Sequence, residues 1–433
     1  MTTTRTGDRM DWREKLARWA NVGERGAPVA FAGREREIDL AIRQLEAWQP
    51  GTMPGRTVVA QGAPGAGKTA LLGEIARRLP ERLPNAEAIY MPTPWIDDNV
   101  PNVLEELAVK MAGVPADALR TTKGSETAAG VKAVATARRA ESRSVSPPTL
   151  QTWRAFSREF ERVAPQMNPT LLLIDEIQRI GEGEATRDLL YNLHDQTTFP
   201  VVLVCGGLST SAARLGEAGL SRLDEGSILR IDALTAGEAQ RSLEESLGIM
   251  ADDVVGGIAG HPDRWARALA PPTQGWPQHV TCHFRAAAEA LLASDRLAFD
   301  DANLRDALAR AEDNMRHYYD RRLEASRTQT MVVYAVHEAI NARTTRRTDA
   351  MAVVDAVRPL LGRHDAEDHD ATFRRAGECI NQMLYAGVVA YATNVTTSPL
   401  SIPIPSMAAH IAGLLTTDQR EAVRRAIGPA IAH

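Results

Sequence analysis

The chain has 433 residues, 44% hydrophobic and 24% charged, a balance typical of folded globular proteins rather than of disordered or fibrous ones. The formal net charge of −5 argues against a broadly basic nucleic-acid coat but leaves room for a local basic patch. The three cysteines lie far apart without a Cys-x-x-Cys pair, which indicates reduced thiols rather than a zinc site. The N-terminus lacks a signal-peptide core and no apolar run could span a membrane, so we expect a cytoplasmic protein with no membrane partner.

Two helices are predicted in residues 1–50, before the first strand. Trp12, Leu16 and Trp19 share one face of a helix over residues 10–20. The segment Phe31-Ala32-Gly33-Arg34-Glu35-Arg36-Glu37-Ile38 leads into a second helix that is expected to reach about Trp48. A loop rich in Pro and Gly then separates this part from the first strand of the core.

The first specific motif follows a predicted strand at Thr57-Val58-Val59-Ala60 and precedes a predicted helix. It reads Gly-x-x-x-x-Gly-Lys-Thr, the pattern of a phosphate-binding loop. Its glycines let backbone N–H groups turn toward phosphate oxygens, and the helix adds its positive N-terminal end. Lys68 would neutralise the β- and γ-phosphates, while the Thr69 hydroxyl would be a ligand of Mg²⁺. The predicted nucleotide-binding residues of this loop are Gly62, Ala63, Pro64, Gly65, Ala66, Gly67, Lys68, Thr69 and Ala70.

The chain after the loop helix contains a predicted break, a strand and an insertion. Prolines at residues 80–84 are expected to end the helix, a strand should cover 86–91, and a helix 100–112. Residues 121–148 are rich in Ala, Ser, Thr, Lys and Arg and nearly free of large apolar side chains. We interpret them as a flexible insertion, either a solvated loop or a basic loop that binds DNA or a protein partner.

The second specific motif is Thr170-Leu171-Leu172-Leu173-Ile174-Asp175-Glu176. Its continuous apolar run is typical of a strand buried on both faces of a parallel sheet, and it ends in two acids. Asp175 could hold Mg²⁺, and Glu176 could polarise an attacking water. The alternative, that the two acids only cap a helix, leaves the complete phosphate loop upstream unexplained.

The remaining pattern predicts the fold class. Further strands over 200–208 and 228–231 complete five β segments that alternate with helices, which predicts an α/β P-loop NTPase core with a parallel five-stranded sheet over 51–233. An all-α lid follows over 234–325, and its residues 300–322 read as a solvated helical connector. Residues 326–433 contain three predicted helices and a hairpin, the outline of a C-terminal winged-helix-like domain. Its third helix carries Arg374 and Arg375, which could contact DNA phosphates, although nearby acids leave a protein-docking module plausible.

These motifs resemble those of P-loop ATPases of the AAA+ and STAND superfamilies, near the origin-recognition and bacterial transposition-type ATPases. The resemblance covers roughly residues 31–278 and implies that Gly33 and Arg34 lie against the adenine. It also implies that Thr210, after the fourth strand, reads the γ-phosphate, although Ser209 and Thr210 could simply cap the next helix. Gly219-Leu220-Ser221-Arg222-Leu223 is similar to a Ser-Arg box whose arginine reaches a neighbouring subunit's γ-phosphate, which implies an ATP-dependent homo-oligomer. The alternative for Arg222 is an ordinary surface arginine.

Two Gly-x-Pro segments in the lid compete for a role at the nucleotide. Gly275-Trp276-Pro277 is similar to the STAND motif whose proline borders the adenine. Arg264, which follows Gly260-His261-Pro262, is instead placed like the sensor 2 arginine of the origin-recognition group. The sequence leaves both assignments open.

The function implied by this resemblance is a Mg²⁺-dependent ATPase that works as a switch, with ATP closing the lid and hydrolysis releasing it. One hypothesis for its output is action on DNA in replication, transposition or mobile-element maintenance. The alternative is a signalling or anti-phage defence ATPase whose C-terminal module binds a protein partner. A kinase is less well supported, because a lid and C-terminal helices suit conformational signalling better.

Overall fold

A computed structural model describes residues 6–21, 29–49, 51, 57–113, 152–180, 184–220, 223–254, 257–342, 350–361, 369–391 and 399–431. The predicted insertion at 121–148 and the predicted catalytic residue Arg222 lie outside these residues. The chain forms two compact units. The first, called here the sheet unit, comprises Arg34–Gln61 and Leu71–Leu229. The second, called the helical unit, comprises Met1–Gly33, Gly62–Ala70 and Arg230–His433.

The sheet unit is built on a five-stranded sheet with strand order β2-β3-β4-β1-β5. Strands β1 to β4 pair in parallel, with Gln61 opposite Gly207 and Ile174 opposite Cys205. Every residue of β1, β3 and β4 is buried, as expected for strands covered on both faces. The predicted five-stranded P-loop core is therefore confirmed. The strands are β1 (Thr57–Gln61), β2 (Glu87–Pro92), β3 (Thr170–Asp175), β4 (Val201–Gly207) and β5 (Ile228–Arg230).

Helices follow the strands of the sheet unit and cover its apolar residues. Trp153, Phe156 and Phe199 form one aromatic group beside the sheet, with ring centroids 5.2 to 5.4 Å apart. They belong to a continuous core that also includes Leu172 and Leu203 of the central strands. After α1 (Thr6–Ala20) of the helical unit, the helices in chain order are α2 (Glu35–Glu46), α3 (Lys68–Arg82), α4 (Thr93–Ala112), α5 (Trp153–Phe160), α6 (Glu184–Asp195) and α7 (Ser211–Glu217).

Two predicted helix boundaries are wrong. Helix α3 continues through Pro80 to Arg82, because a proline this close to the helix end removes one late backbone hydrogen bond only. Helix α4 begins at Thr93 rather than at residue 100, because a proline occupies its first turn, where backbone N–H groups have no intrahelical acceptor.

The first part of the helical unit packs α1 against the predicted lid. Leu16 of α1 is fully buried and shares a core with Leu243, Trp265 and Phe284. A two-residue parallel pair joins β6 to β7 within this part. Its elements are α8 (Ala236–Asp253), β6 (Ala259–Gly260), α9 (Pro262–Leu269), α10 (Pro277–Ala293), β7 (Ala298–Phe299) and α11 (Asp301–Ser326).

The C-terminal part of the helical unit has three helices followed by a short antiparallel pair of strands. This order agrees with the predicted outline, and the winged-helix assignment itself stays a prediction. Within the described ranges no helix is both long and apolar enough to cross a membrane. The elements are α12 (Thr330–Ala342), α13 (Ala350–Leu361), α14 (His369–Ala386), β8 (Ala390–Tyr391), β9 (Leu400–Ser401), α15 (Met407–Gly413) and α16 (Thr417–Ile431).

Candidate nucleotide site

The phosphate loop occupies the turn between the end of β1 at Gln61 and the start of α3 at Lys68. Gly65 has φ +87°, a left-handed conformation that costs glycine little and other residues much more. No acidic side chain stands in the first turn of α3, so the positive end of this helix is not neutralised by its own residues. A strand, a tight loop and a helix N-terminus are the arrangement that binds phosphate.

Lys68 is held inside the loop. Its side chain is buried, and Nζ donates hydrogen bonds to the carbonyl oxygens of Gly62 and Ala63, both at 2.9 Å. An ammonium group at this place in the loop could also donate to the oxygens of a phosphate. The buried cation therefore fits a phosphate ligand. Thr69, the predicted ligand of Mg²⁺, is exposed.

Asp175 is the last residue of β3, the strand that lies between β2 and β4. Its carboxylate is almost fully buried; Oδ1 accepts the Glu176 N–H at 2.9 Å and Oδ2 accepts the Tyr90 hydroxyl at 2.9 Å. A Cβ atom at Gly206 of β4 would lie only 3.1 Å from Oδ1. The glycine therefore keeps space beside an anionic oxygen, which suits a hard cation such as Mg²⁺.

Glu176 directly follows β3 in a left-handed conformation with φ 57°, which is uncommon for a residue with a side chain. Its carboxylate accepts the Gln178 Nε2–H at 2.8 Å and lies 3.2 Å from Arg179 Nε. The Gln178 Oε1 in turn accepts the Leu208 N–H at 3.0 Å. Gln178 thus ties Glu176 to the end of β4. Gln178 was not predicted as a site residue, because its spacing after Glu176 is the only signal in the sequence.

The other residues predicted near the nucleotide are placed as follows. Thr210 precedes α7, and its buried hydroxyl makes no hydrogen bond among the described residues. The prediction that this hydroxyl reads a γ-phosphate stays open, whereas a cap on α7 is not formed. In the sheet unit, Arg34 precedes α2 in a left-handed conformation, and its guanidinium lies 3.9 Å from the Glu37 carboxylate. In the helical unit, Gly33 is buried beside the Glu238 side chain. Their role at the adenine stays a prediction.

Within the helical unit, the lid packs directly on the phosphate loop. The Gln278 N–H donates to the Gly65 carbonyl at 3.1 Å, and the Tyr318 hydroxyl donates to the Pro64 carbonyl at 2.6 Å. Pro277 lies beside Gly67, so a Cβ atom at that glycine would be 3.5 Å from the proline ring. Of the two competing lid residues, the structure therefore brings Pro277 to the loop. Arg264 forms an exposed ion pair with Asp301 at 2.8 Å.

The contact through Tyr318 also corrects the prediction that residues 300–322 form only a solvated connector. Tyr318 and Tyr319 of α11 are both buried. The many Asp and Arg residues of this segment made it look fully exposed in the sequence. Charged residues on the outer face of a helix do not exclude a buried inner face, which here carries the two tyrosines.

His279, two residues after Pro277, is held by two hydrogen bonds within the lid. Its Nδ1 lies 3.0 Å from the Thr273 carbonyl, which can only accept, so Nδ1 carries the proton and Nε2 accepts from the Tyr319 hydroxyl at 3.1 Å. Burial lowers the pKa of His279 to about 4, outweighing the opposite effect of the Thr273 carbonyl. The ring is therefore neutral in the folded protein near neutral pH.

This lowered pKa predicts acid sensitivity. In the unfolded chain His279 binds a proton near its ordinary pKa of 6.5, whereas in the folded protein it binds one only near pH 4. The contribution of His279 to the free energy of unfolding is therefore fully present above pH 6.5. We expect about 2 kcal/mol of it to be lost between pH 7 and pH 5. Urea unfolding of the wild type and His279→Gln at both pH values tests this. The variant should show a shallower pH dependence. His337 and His283 contribute to the remainder, because burial lowers the pKa of His337 to about 4 and also lowers that of His283. Identical pH slopes would contradict the assignment.

Comparison with known proteins agrees with this geometry. Residues 30–204 match the family described as AAA ATPase domain, and no curated protein matches the sequence. The fold is similar to the Walker-type ATPase PABY2304 of Pyrococcus abyssi, with TM-score 0.53 and 13% identity over 91% of this chain and 99% of that chain. It is also similar to the Aeropyrum pernix ORC2 protein, solved as ADPNP–ADP complexes, with TM-score 0.51 and 15% identity over 96% and 98% of the two chains.

The phosphate loop, the buried lysine and the acids that end β3 define a P-loop nucleotide-binding protein. Together with the domain match, they indicate that residues 30–204 form a AAA-type ATPase domain built on a P-loop. The chain resembles origin-recognition proteins in fold.

Proposed function

We propose that this protein binds and hydrolyses ATP with Mg²⁺ and uses the cycle as a conformational switch. One observation carries the proposal. In the sheet unit, β1 and β3 both flank β4 in parallel, so Gln61, which leads into the phosphate loop, and Asp175 end at the same edge of the sheet. Within the same unit, Leu72 of α3 and the Asp175 carboxylate both lie beside Gly206.

Separate residues would bind the phosphates, bind Mg²⁺ and activate the attacking water. Loop N–H groups and Lys68 would hold the phosphates and offset the negative charge that develops during transfer. Thr69 and Asp175 would hold Mg²⁺, which supplies further charge neutralisation when bound. Glu176, fixed by Gln178, would orient the attacking water and accept its proton. Thr210, with its unsatisfied buried hydroxyl, is a suitable donor to a γ-phosphate oxygen.

The switch is supported by the contacts of the lid on the loop. Gln278 and Tyr318 both donate to loop carbonyl groups, so any change in the loop on phosphate binding reaches α10 and α11 directly. A neighbouring subunit would supply Arg222 in an ATP-dependent homo-oligomer, as the Ser-Arg box implies. The roles of Gly33 and Arg34 at the adenine belong to the same proposal.

For the output we favour action on DNA, in replication, transposition or mobile-element maintenance. The fold resembles that of an ORC2 protein, and α14 presents Arg374 and Arg375 as exposed side chains. The alternative is a signalling or defence ATPase whose C-terminal part binds a protein, which the acidic residues near α14 would suit. The two alternatives differ in whether the protein binds DNA.

Replacing both Arg374 and Arg375 by alanine should weaken DNA binding by the ATP-bound Glu176→Gln protein. If each arginine contacts one phosphate, the slope of log affinity against log salt should fall by about 2. Fluorescence anisotropy with duplex DNA over a salt series measures both quantities. The control is Arg305→Ala/Arg316→Ala on α11, which removes the same charge from exposed positions elsewhere. Absence of DNA binding at low salt in the unaltered Glu176→Gln protein would instead select the protein-partner alternative.

A further inference from the structure

A cavity of about 180 Å³ lies among α12, α15 and α16 of the helical unit. Ala408 and Ala412 of α15 form part of its wall, and their short side chains leave the space open. The remaining lining residues are polar or charged. A space of this size with polar walls suits a small polar molecule rather than an apolar one.

His337 of α12 lines the cavity and carries a buried hydrogen-bond acceptor. Its Nε2 lies 3.4 Å from the Val388 carbonyl, which can only accept, so Nε2 carries the ring proton. The other nitrogen, Nδ1, is buried and has no hydrogen-bond partner among the described residues. Only 2% of His337 is exposed, so bulk water does not donate a hydrogen bond to Nδ1 in place of a protein group. The residue therefore needs a donor from a molecule that enters the cavity.

Two charged side chains of opposite sign also line the cavity, the half-buried Arg420 and the exposed Glu421. Arg424 is already paired with Glu338 at 2.7 Å. Arg420 donates at 3.2 Å to the Ala412 carbonyl and to the Thr417 hydroxyl, which are both neutral. Within the described part of the chain, neither Arg420 nor Glu421 forms an ion pair. A ligand of one charge would satisfy only one of them, whereas a zwitterion would satisfy both.

We propose that this cavity binds a free α-amino acid. Its ammonium group would donate to His337 Nδ1 and face Glu421, and its carboxylate would meet the Arg420 guanidinium. The wall at Ala408 and Ala412 would accommodate the ligand's side chain. The site is separate from the phosphate loop and uses none of the residues assigned to the nucleotide.

The same histidine connects the cavity to the phosphate loop. Val388, its backbone partner, follows Gly387, which has φ +72°. A Cβ atom on Gly387 would clash with the Pro64 ring, so the backbone at Gly387 is in direct contact with the loop. Occupancy of the cavity would therefore change the affinity of the loop for nucleotide. This coupling rests on the proposed function, whereas amino-acid binding does not.

Calorimetric titration with each of the twenty standard L-amino acids, one at a time and without nucleotide, tests the site. We expect saturable binding of at least one, abolished in Ala412→Leu, which fills the cavity, and in His337→Leu, which removes the acceptor. Ala422→Leu places the same side chain at an exposed position on α16 and should bind like the wild type. If none of the twenty binds the wild type, or if binding survives in folded Ala412→Leu, the proposal is overturned.

The coupling is tested by measuring the affinity for a fluorescent ATP analogue with and without the saturating amino acid. We expect a change of about fivefold or more, with the same factor when amino-acid affinity is measured at saturating nucleotide. Equal affinities would overturn the coupling. A protein that binds the amino acid but not ATP would overturn the proposed function alone, and one that binds ATP but none of the amino acids would overturn the cavity alone.

Discussion

Replacement of Lys68 by alanine should abolish ATP hydrolysis, with a fall in turnover of about a hundredfold to a thousandfold or more. The buried ammonium is the cation of the phosphate loop, and alanine leaves the developing phosphate charge uncompensated. Steady-state release of phosphate measures the turnover, and titration with a fluorescent ATP analogue should show weakened binding.

The matched control for this variant is Lys110→Ala on α4. It removes an ammonium group whose only described ion pair, with Glu87 at 3.4 Å, is partly exposed, so activity should stay near that of the wild type. Because Lys68 also bonds two loop carbonyls, the thermal unfolding of the variant must be compared with that of the wild type. Turnover retained in folded Lys68→Ala would remove the loop from the catalytic site.

Replacement of Glu176 by glutamine should separate binding from hydrolysis. Loss of the carboxylate removes the proton acceptor, for which we expect a fall in turnover of about a hundredfold to ten-thousandfold. ATP affinity should change little, since the variant keeps Lys68, Thr69 and Asp175. The glutamine side-chain oxygen can still accept the Gln178 N–H, so the local structure should persist. Single-turnover hydrolysis and nucleotide titration measure the two effects.

The same variant tests the predicted assembly. If ATP drives homo-oligomer formation, light scattering should show a larger mass for Glu176→Gln with ATP than without it. Glu217→Gln, which changes an exposed carboxylate on α7, should hydrolyse ATP at the wild-type rate. Wild-type turnover in Glu176→Gln would show that another residue activates the water.

The sequence determined the core of this protein and its chemical class. Five strands were predicted and five form the sheet, and continuous burial on both faces gave β1, β3 and β4 a strong signal in a short segment. The phosphate loop and the acids of β3 were predicted for a similar reason. A loop that binds a nucleotide phosphate and its Mg²⁺ requires glycines, a lysine and a hydroxyl at fixed spacing along the chain, so the motif is local. The predicted ends of α3 and α4 were wrong, since a proline stops a helix in some positions and starts one in others.

Only the tertiary structure showed which distant residues meet the loop and which polar groups remain unsatisfied. Tyr318 donates to Pro64 although the two are far apart in the chain, and its charged neighbours gave no sign of a buried face. Gln178 reaches Glu176 and the end of β4 only because parallel strands bring those ends together. The cavity beside His337 is lined by residues of three helices that are distant in the chain. Such contacts follow from packing, which depends on the whole fold, whereas strands and phosphate loops are encoded in a few consecutive residues.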